Sequence, residues 1–346
     1  MLIALRPVAS ILLSVSFTPL LFSQQSAAPP PSLDAAIHLD VVVAPKSGPP
    51  VAGLEQKGFS LFDNKTPQPI TSFQAFGGPD APVEVILLID GVNTGATTIA
   101  YARSQIDKFL RANGGKLAHP IALAIFTDTG LRMVQDPSTD GNALSAALDQ
   151  ETVALRSITR AAGFYGAEDR FDLSMRALQQ LGTDEAVHPG RKLIFWISPG
   201  WPLLTGPAVQ LDRKQQQQLF TAIVEASTQL RQARVVLYSI NPLGTNEDSF
   251  RAFYYQQFVK GVTKPYQVNV GNLGLQVLAV QTGGLVLNSN NDVSAMLAQA
   301  FRDADAWYEI SFQPAPSEPN EYHQIEVKVE KPGLVTRTRT GYYSRP

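Results

Sequence analysis

Apolar and polar positions fall into three regimes along the chain. From residue 33 to 76 they alternate: AAIHLDVVVA, a KSGPP turn, GFSLFD, then NKTPQPITSFQAF. Period-two spacing broken by turn residues predicts antiparallel strands, three of them in this segment. So few strands cannot bury a face alone, so the segment needs a partner. From Pro82 the pattern changes. VEVILLID carries five consecutive aliphatic residues up to Asp90, and TIAYARSQIDKFLRAN places Ile99, Ala102, Ile106, Phe109 and Leu110 at helical spacing. Further strands are predicted at IALAIFTD, KLIFWIS, RVVLYSI and LVLN. Helices are predicted at GNALSAALDQ, DLSMRALQQL, QQQQLFTAIVEASTQLRQA, GLQVLAVQTG and DVSAMLAQAFRDA. Apolar strands alternating with helices predict a doubly wound, mostly parallel α/β sheet covered on both faces, over residues 82–305. Alternation returns in residues 306–346 as WYEISF, HQIEVKVE and LVTRTRTGYYS. These last strands are expected to pair with residues 33–76 as a small β-sandwich.

The first residues read differently. One cation, Arg6, precedes an apolar run from Val8 to Phe22 that Pro19 interrupts, with Ser23 following. This is the layout of a signal peptide over residues 1–23. The run is short and broken against the roughly 20 residues of a spanning helix, although an uncleaved anchor is the alternative. Residues 24–32 are a Pro/Ala/Ser tether. The expected place of the mature chain is outside the cytoplasm, secreted or at a bacterial cell surface.

Composition narrows the chemistry. Of 346 residues, 28 are basic and 30 acidic, a net charge of −2, which gives no footprint for nucleic acid. Cysteine is absent, which removes disulfides, thiolate metal sites and a cysteine nucleophile. The four histidines (His38, His119, His188, His323) include no i, i+4 pair and no H-E-x-x-H, so no zinc site is expected. Ser198 in ISPGW lacks the glycine of a G-x-S-x-G elbow. Gly115-Lys116 leads into a strand instead of a helix, so no P-loop is present, and no strand is followed by G-x-G-x-x-G. Asp169 and Asp172 lie a helical turn apart, where acids favour a helix start for dipole reasons. Asn64-Lys65-Thr66 has the form of a glycosylation sequon. Trp201, followed by Pro202, Leu203 and Leu204, offers aromatic and aliphatic surface after a central strand, either as a partner anchor or as core. Phe250 to Phe258 is expected to be a helix packed on the sheet.

VVVAPKSGPPVAGLEQKGFSLFDNKTPQPITSF, VILLIDGVNT, GRKLIFWISPGWPL, RVVLYSINPLG, and the closing TGGLVLNSNNDVSAMLAQAFRDADAWYEISFQP and IEVKVEKPGLVTRTRTGYYS carry a resemblance in order and spacing. The chain resembles the von Willebrand factor A-type fold, and more narrowly the secreted VWFA-related proteins abundant in Acidobacteria. The resemblance implies a binding protein instead of an enzyme, with loops at the carboxyl ends of the strands meeting a protein or cell-surface partner. It also implies a metal-ion-dependent adhesion site for Mg²⁺: D-x-S-x-S after the first strand, a Thr before a middle helix, and an Asp after the central strand. Asp90 and Thr94 match two of those positions. Val92 stands where a hydroxyl is expected and Pro199 where a carboxylate is expected, while Glu168 or Asp169 could replace the Thr. The expectation is a vestigial site with Mg²⁺ absent, and with Asn93, Trp201 and Leu203 meeting a partner. Under this reading Asp90 and Asn93 serve the turn and cap the helix near Thr97 and Thr98. The alternatives are a rebuilt metal-dependent binder at Asp90 and a hydrolase using Ser198 or an acidic pair.

Overall fold

The structure is a computed structural model and describes residues 36–78, 81–151, 163–202, 204, 211–244 and 253–344. The expected signal peptide, the tether and Leu203 lie outside the described residues.

The central sheet has six strands: β5 (Val83–Asp90), β6 (Lys116–Thr127), β7 (Gly130–Asp140), β8 (Arg191–Ile197), β9 (Val235–Ile240) and β10 (Val286–Leu287). Their order across the sheet is β10-β9-β8-β5-β6-β7. All neighbouring pairs are parallel except β6 with β7. This is a doubly wound order, in which the direction of winding reverses between β5 and β8. The continuous apolar run of β5 divides by its period of two: Val85, Leu87 and Ile89 join one core cluster, Ile86 and Leu88 the other. On the first face lie α1 (Ala96–Leu110), α2 (Gly141–Gln150) and α6 (Val293–Phe301). On the second lie α3 (Gly163–Glu185), α4 (Arg213–Gln232) and α5 (Leu275–Gln281).

The flanking segments form two four-stranded sheets, where three strands were expected at each end of the chain. One sheet contains β1 (Ile37–Pro45), β4 (Ser72–Gly77), β11 (Ala306–Phe312) and β13 (Leu334–Arg337), in the order β13-β1-β11-β4. The other contains β2 (Phe59–Asp63), β3 (Thr66–Gln68), β12 (Tyr322–Val329) and β14 (Gly341–Tyr343), in the order β14-β12-β2-β3. The extra N-terminal strand arises at the Asn64-Lys65 turn. Both residues there have positive φ (48° and 68°), the geometry of a tight hairpin. At the C-terminus LVTRTRTGYYS is two strands, because β13 pairs with β1 while β14 pairs with β12 in the facing sheet. Ile37, Leu39, Val41 and Val43 fill the space between the sheets with Phe59, Leu61, Tyr308 and Ile325. The alternate residues Val42 and Trp307 belong to the α/β core instead. The β1/β11 sheet is thus covered on both sides, which is why VVV reads as an unbroken apolar run.

Two further expectations need correction. β7 was not anticipated; it is mostly solvent-facing, with Leu131 as its one buried residue and Pro137 within it, so it carries neither alternation nor an apolar run. Of the expected Phe250–Phe258 helix, residues 250–252 lie outside the described residues, and the described part forms a 3₁₀ turn at Tyr254–Gln257, with Tyr254 buried and Phe253 exposed.

Candidate functional site

The carboxyl ends of β5 and β8 lie side by side at the switch point, with Ile89 paired to Ile197. That crevice is where open α/β sheets hold ligands. β5 ends on Asp90 and β8 runs into Ser198; both are fully buried.

Asp90 is held by four N–H donors. Its Oδ1 accepts from Val92 N (2.9 Å) and Asn93 N (2.8 Å). Its Oδ2 accepts from Asn93 Nδ2 (2.8 Å) and from the indole Nε1 of Trp196 (3.1 Å). A carboxylate has about four acceptor positions, so this one is saturated. Burial raises the Asp90 pKa above the ordinary carboxylate value, while the hydrogen bonds it accepts from Asn93 and Trp196 pull the other way. Asp90 therefore fastens the turn, as expected, but it does not cap a helix. α1 starts after Gly95, which provides no side-chain cap.

A group with a raised folded pKa favours the native state most below its unfolded pKa, and that contribution is lost as pH rises through the folded value. The unfolding free energy of the wild type should therefore fall relative to that of Asp90→Asn between strongly acidic and neutral pH, measured by urea titration at each pH. Parallel pH curves for the two proteins would contradict the raised pKa.

Asn93 extends the network, its Nδ2 also donating to Ser174 Oγ on α3 (3.0 Å). Ser174 is fully buried and donates to Arg170 O (2.7 Å). Ser174 was not anticipated, because α3 starts nine residues before Asp172 and places Ser174 mid-helix. Glu168 and Asp169, considered as replacement ligands, are exposed on α3. Two oxygens at this site are buried without a partner: Asn93 Oδ1 and Thr94 Oγ1, with Thr94 only 2% exposed. Ser198 Oγ accepts from Gly200 N (3.1 Å).

The partner-anchor expectation for Trp201 is corrected. Its ring is 1% exposed and meets Trp196 edge-on at 5.3 Å, so it completes the core beneath the rim. Trp201 thereby joins the core cluster on this face of the sheet, with Trp196 as its neighbour.

The donor set does not fit Mg²⁺, which needs several oxygens converging on one point. Asp90 has no acceptor position left, Val92 is apolar and buried, and Pro199 follows the central strand.

No family model matches the chain, and no curated protein matches it. Among solved structures, similarity is found to the human COPII-coat protein Sec24c (11% identity, 79% of this chain and 46% of that one, TM-score 0.33). It is also found to proximal thread matrix protein 1 from the mussel byssus (9% identity, 70% and 51%, TM-score 0.39). A third similar structure is the VWA domain of SpRpn10 (12% identity, 68% and 100%, TM-score 0.28). The chain spans about half the length of the first two.

Proposed function

We propose that this chain is a non-enzymatic, von Willebrand A-like binding protein, acting outside the cytoplasm, whose strand-end loops around Asn93 meet a protein or cell-surface component without a metal ion. The observation that carries this reading is the saturated Asp90 carboxylate at the switch point. It builds a fixed loop and leaves Asn93 Oδ1 and Thr94 Oγ1 as acceptors beside it. In this reading the adhesion site is vestigial: its first aspartate has become a loop fastener.

Against the hydrolase alternative, no described histidine lies beside Ser198 and the neighbouring Asp90 carboxylate is taken up by N–H donors. Ser198 is buried and bonded to Gly200 N. The histidines are engaged elsewhere: His38 with Ser311, His119 with Asp305, His188 with Glu185 and His323 with Asp63. A nucleophile needs its base within hydrogen-bond reach. Two roomy clefts, about 680 Å³ between α3 and α4 and about 500 Å³ beside β13, are lined by none of Asp90, Asn93, Thr94 or Ser198. No described helix is long and apolar enough to cross a membrane.

Calorimetric titration with Mg²⁺, Mn²⁺ and Ca²⁺ tests the metal-free reading. The expected outcome is that Mg²⁺ and Ca²⁺ give no saturable heat, and that Asp90→Asn leaves every titration unchanged. Binding tighter than millimolar that disappears in Asp90→Asn would replace this reading with the metal-dependent one.

A further inference from the structure

The opposite end of the sheet carries a second cluster. Glu84 lies on β5 six residues before Asp90, about 20 Å away at the rise of an extended strand. Residues 84, 86, 88 and 90 share one face of that strand, so Glu84 points toward α3, whose last residue is Glu185. Three residues on, His188 sits in the turn that leads into β8. One oxygen of each glutamate and one ring nitrogen of His188 lie within 4.8 Å of one another.

Several features set this group apart from ordinary surface acids. The Glu185 side chain is 94% buried (6% exposed), yet its one hydrogen-bond partner among the described residues is His188 Nδ1, at 3.3 Å. Among the described residues, no lysine or arginine nitrogen lies within ion-pair distance of either glutamate. The ammonium of Lys192 is close enough to attract both glutamates, but it donates its hydrogen bonds to the backbone carbonyls of His188 and Ala233 and not to a carboxylate. A carboxylate out of water, facing a second carboxylate, is a costly arrangement that a cation relieves.

The geometry suits a small N/O-coordinated ion. Tetrahedral zinc bonds of about 2.0–2.1 Å place neighbouring ligand atoms about 3.3 Å apart. The Glu185–His188 pair already has that spacing, 3.3 Å. Glu84 closes on it by side-chain rotation, because it is only half-buried. The backbone beneath is fixed. His188 N donates to Glu185 O, and Arg191 N donates to Pro82 O at the start of β5. At Gly190 φ is +89°, and an added Cβ would meet Pro82 O at 2.8 Å. The i, i+3 turn and the β5 start are thereby held in register, and rigid elements are what a metal site needs.

We propose that Glu84, Glu185 and His188 form a zinc site that clamps the end of α3 and its following turn onto β5, with solvent completing the coordination. Two carboxylates and one imidazole select Zn²⁺ over Mg²⁺ and, by the ordinary affinity order, over Mn²⁺. The sequence hid the site because it offers neither paired histidines nor H-E-x-x-H. Its third ligand is about 100 residues away along the chain, a distance only the parallel pairing of β5 with β8 removes.

The test uses untagged full-length protein, stripped with chelator and titrated with Zn²⁺ by calorimetry. One saturable equivalent is expected, with a raised melting temperature, in the wild type and equally in Asp90→Asn. Glu185→Gln and His188→Ala should each weaken binding at least about tenfold. Glu185→Gln is isosteric and removes the carboxylate repulsion, so its metal-free form should melt no lower than the metal-free wild type while losing the zinc-induced rise. Absence of a saturable equivalent in the wild type overturns the proposal. Undiminished binding in both variants overturns it too, because the ion would then sit elsewhere. Failure here leaves the reading of the Asp90 rim standing, and the Asp90→Asn comparison separates the two.

Discussion

Asp90→Ala is expected to lower the unfolding free energy by at least about 3 kcal/mol, as read from urea titration. The substitution strands the donors Val92 N, Asn93 N, Asn93 Nδ2 and Trp196 Nε1, of which Val92 N and Trp196 Nε1 are buried and Asn93 is half-buried. A buried donor left without an acceptor costs roughly 1–3 kcal/mol. Asn93 Nδ2 keeps Ser174 Oγ as an acceptor, so the total stays below the simple sum. Removing a buried carboxylate also recovers part of its desolvation cost. That gain does not offset the loss, because the two backbone amides have nowhere else to turn. Asp90→Asn should cost less, about 1–2 kcal/mol: it keeps one oxygen for the amides, and its new NH₂ can reach the unpartnered Asn93 Oδ1 after an amide flip. If Asp90→Ala unfolds at the wild-type urea concentration, Asp90 does not fasten the loop, and the vestigial-site reading loses its physical basis.

The parts of this molecule legible in sequence are those where one local rule governs. β5, β8 and β9 announce themselves as unbroken apolar runs because they are buried on both faces. The periodicity of α1 picked out Ile99, Ala102, Ile106, Phe109 and Leu110, and all five are buried. Asp90 was visible as the lone carboxylate closing an apolar strand. Trp201 was ambiguous, since an aromatic after a strand packs inward or outward depending on a wall that another segment supplies. β7 was invisible, because an exposed antiparallel edge needs little apolar surface. Ser174 and the Glu84–Glu185–His188 group were illegible for a shared reason. Each is defined by the docking of α3 on the sheet, and nothing in the local sequence encodes that docking.

The joint between the sandwich and the α/β domain supplies the other large effect. Asp303 is 5% exposed. Its Oδ2 accepts from the Tyr238 hydroxyl at 2.6 Å and from Arg337 of β13. Arg337 also donates to Gly283 O (2.6 Å). Arg191 donates to the Asp303 carbonyl (2.7 Å), with its guanidinium 5.3 Å from the centre of the Trp307 ring on β11. Burial drives the Tyr238 hydroxyl far above its usual pKa, so it stays a neutral donor. β9 and β13, one from each half of the molecule, thus converge on the Asp303 carboxylate, while Arg191 of β8 holds its backbone carbonyl. Asp303→Ala leaves the Tyr238 hydroxyl orphaned and a mostly buried guanidinium without its anion. Breaking such a pair by removing one partner costs about 3–5 kcal/mol. The lower end is expected, since the Arg337 side chain keeps 24% exposure to water. Adding Arg337→Leu should recover part of the loss, because the stranded cation goes with it; the double variant is then less destabilised than the sum of the singles. The same titrations read how the halves are coupled. One transition in the wild type and two in Asp303→Ala would mean that this carboxylate makes the sandwich and the sheet unfold together. Strict additivity of the two substitutions would mean that Asp303 and Arg337 contribute independently, and the joint would then rest on its other contacts, among them the packing of Val42 and Trp307 and the pairing of Arg234 with Asp40 and Glu309.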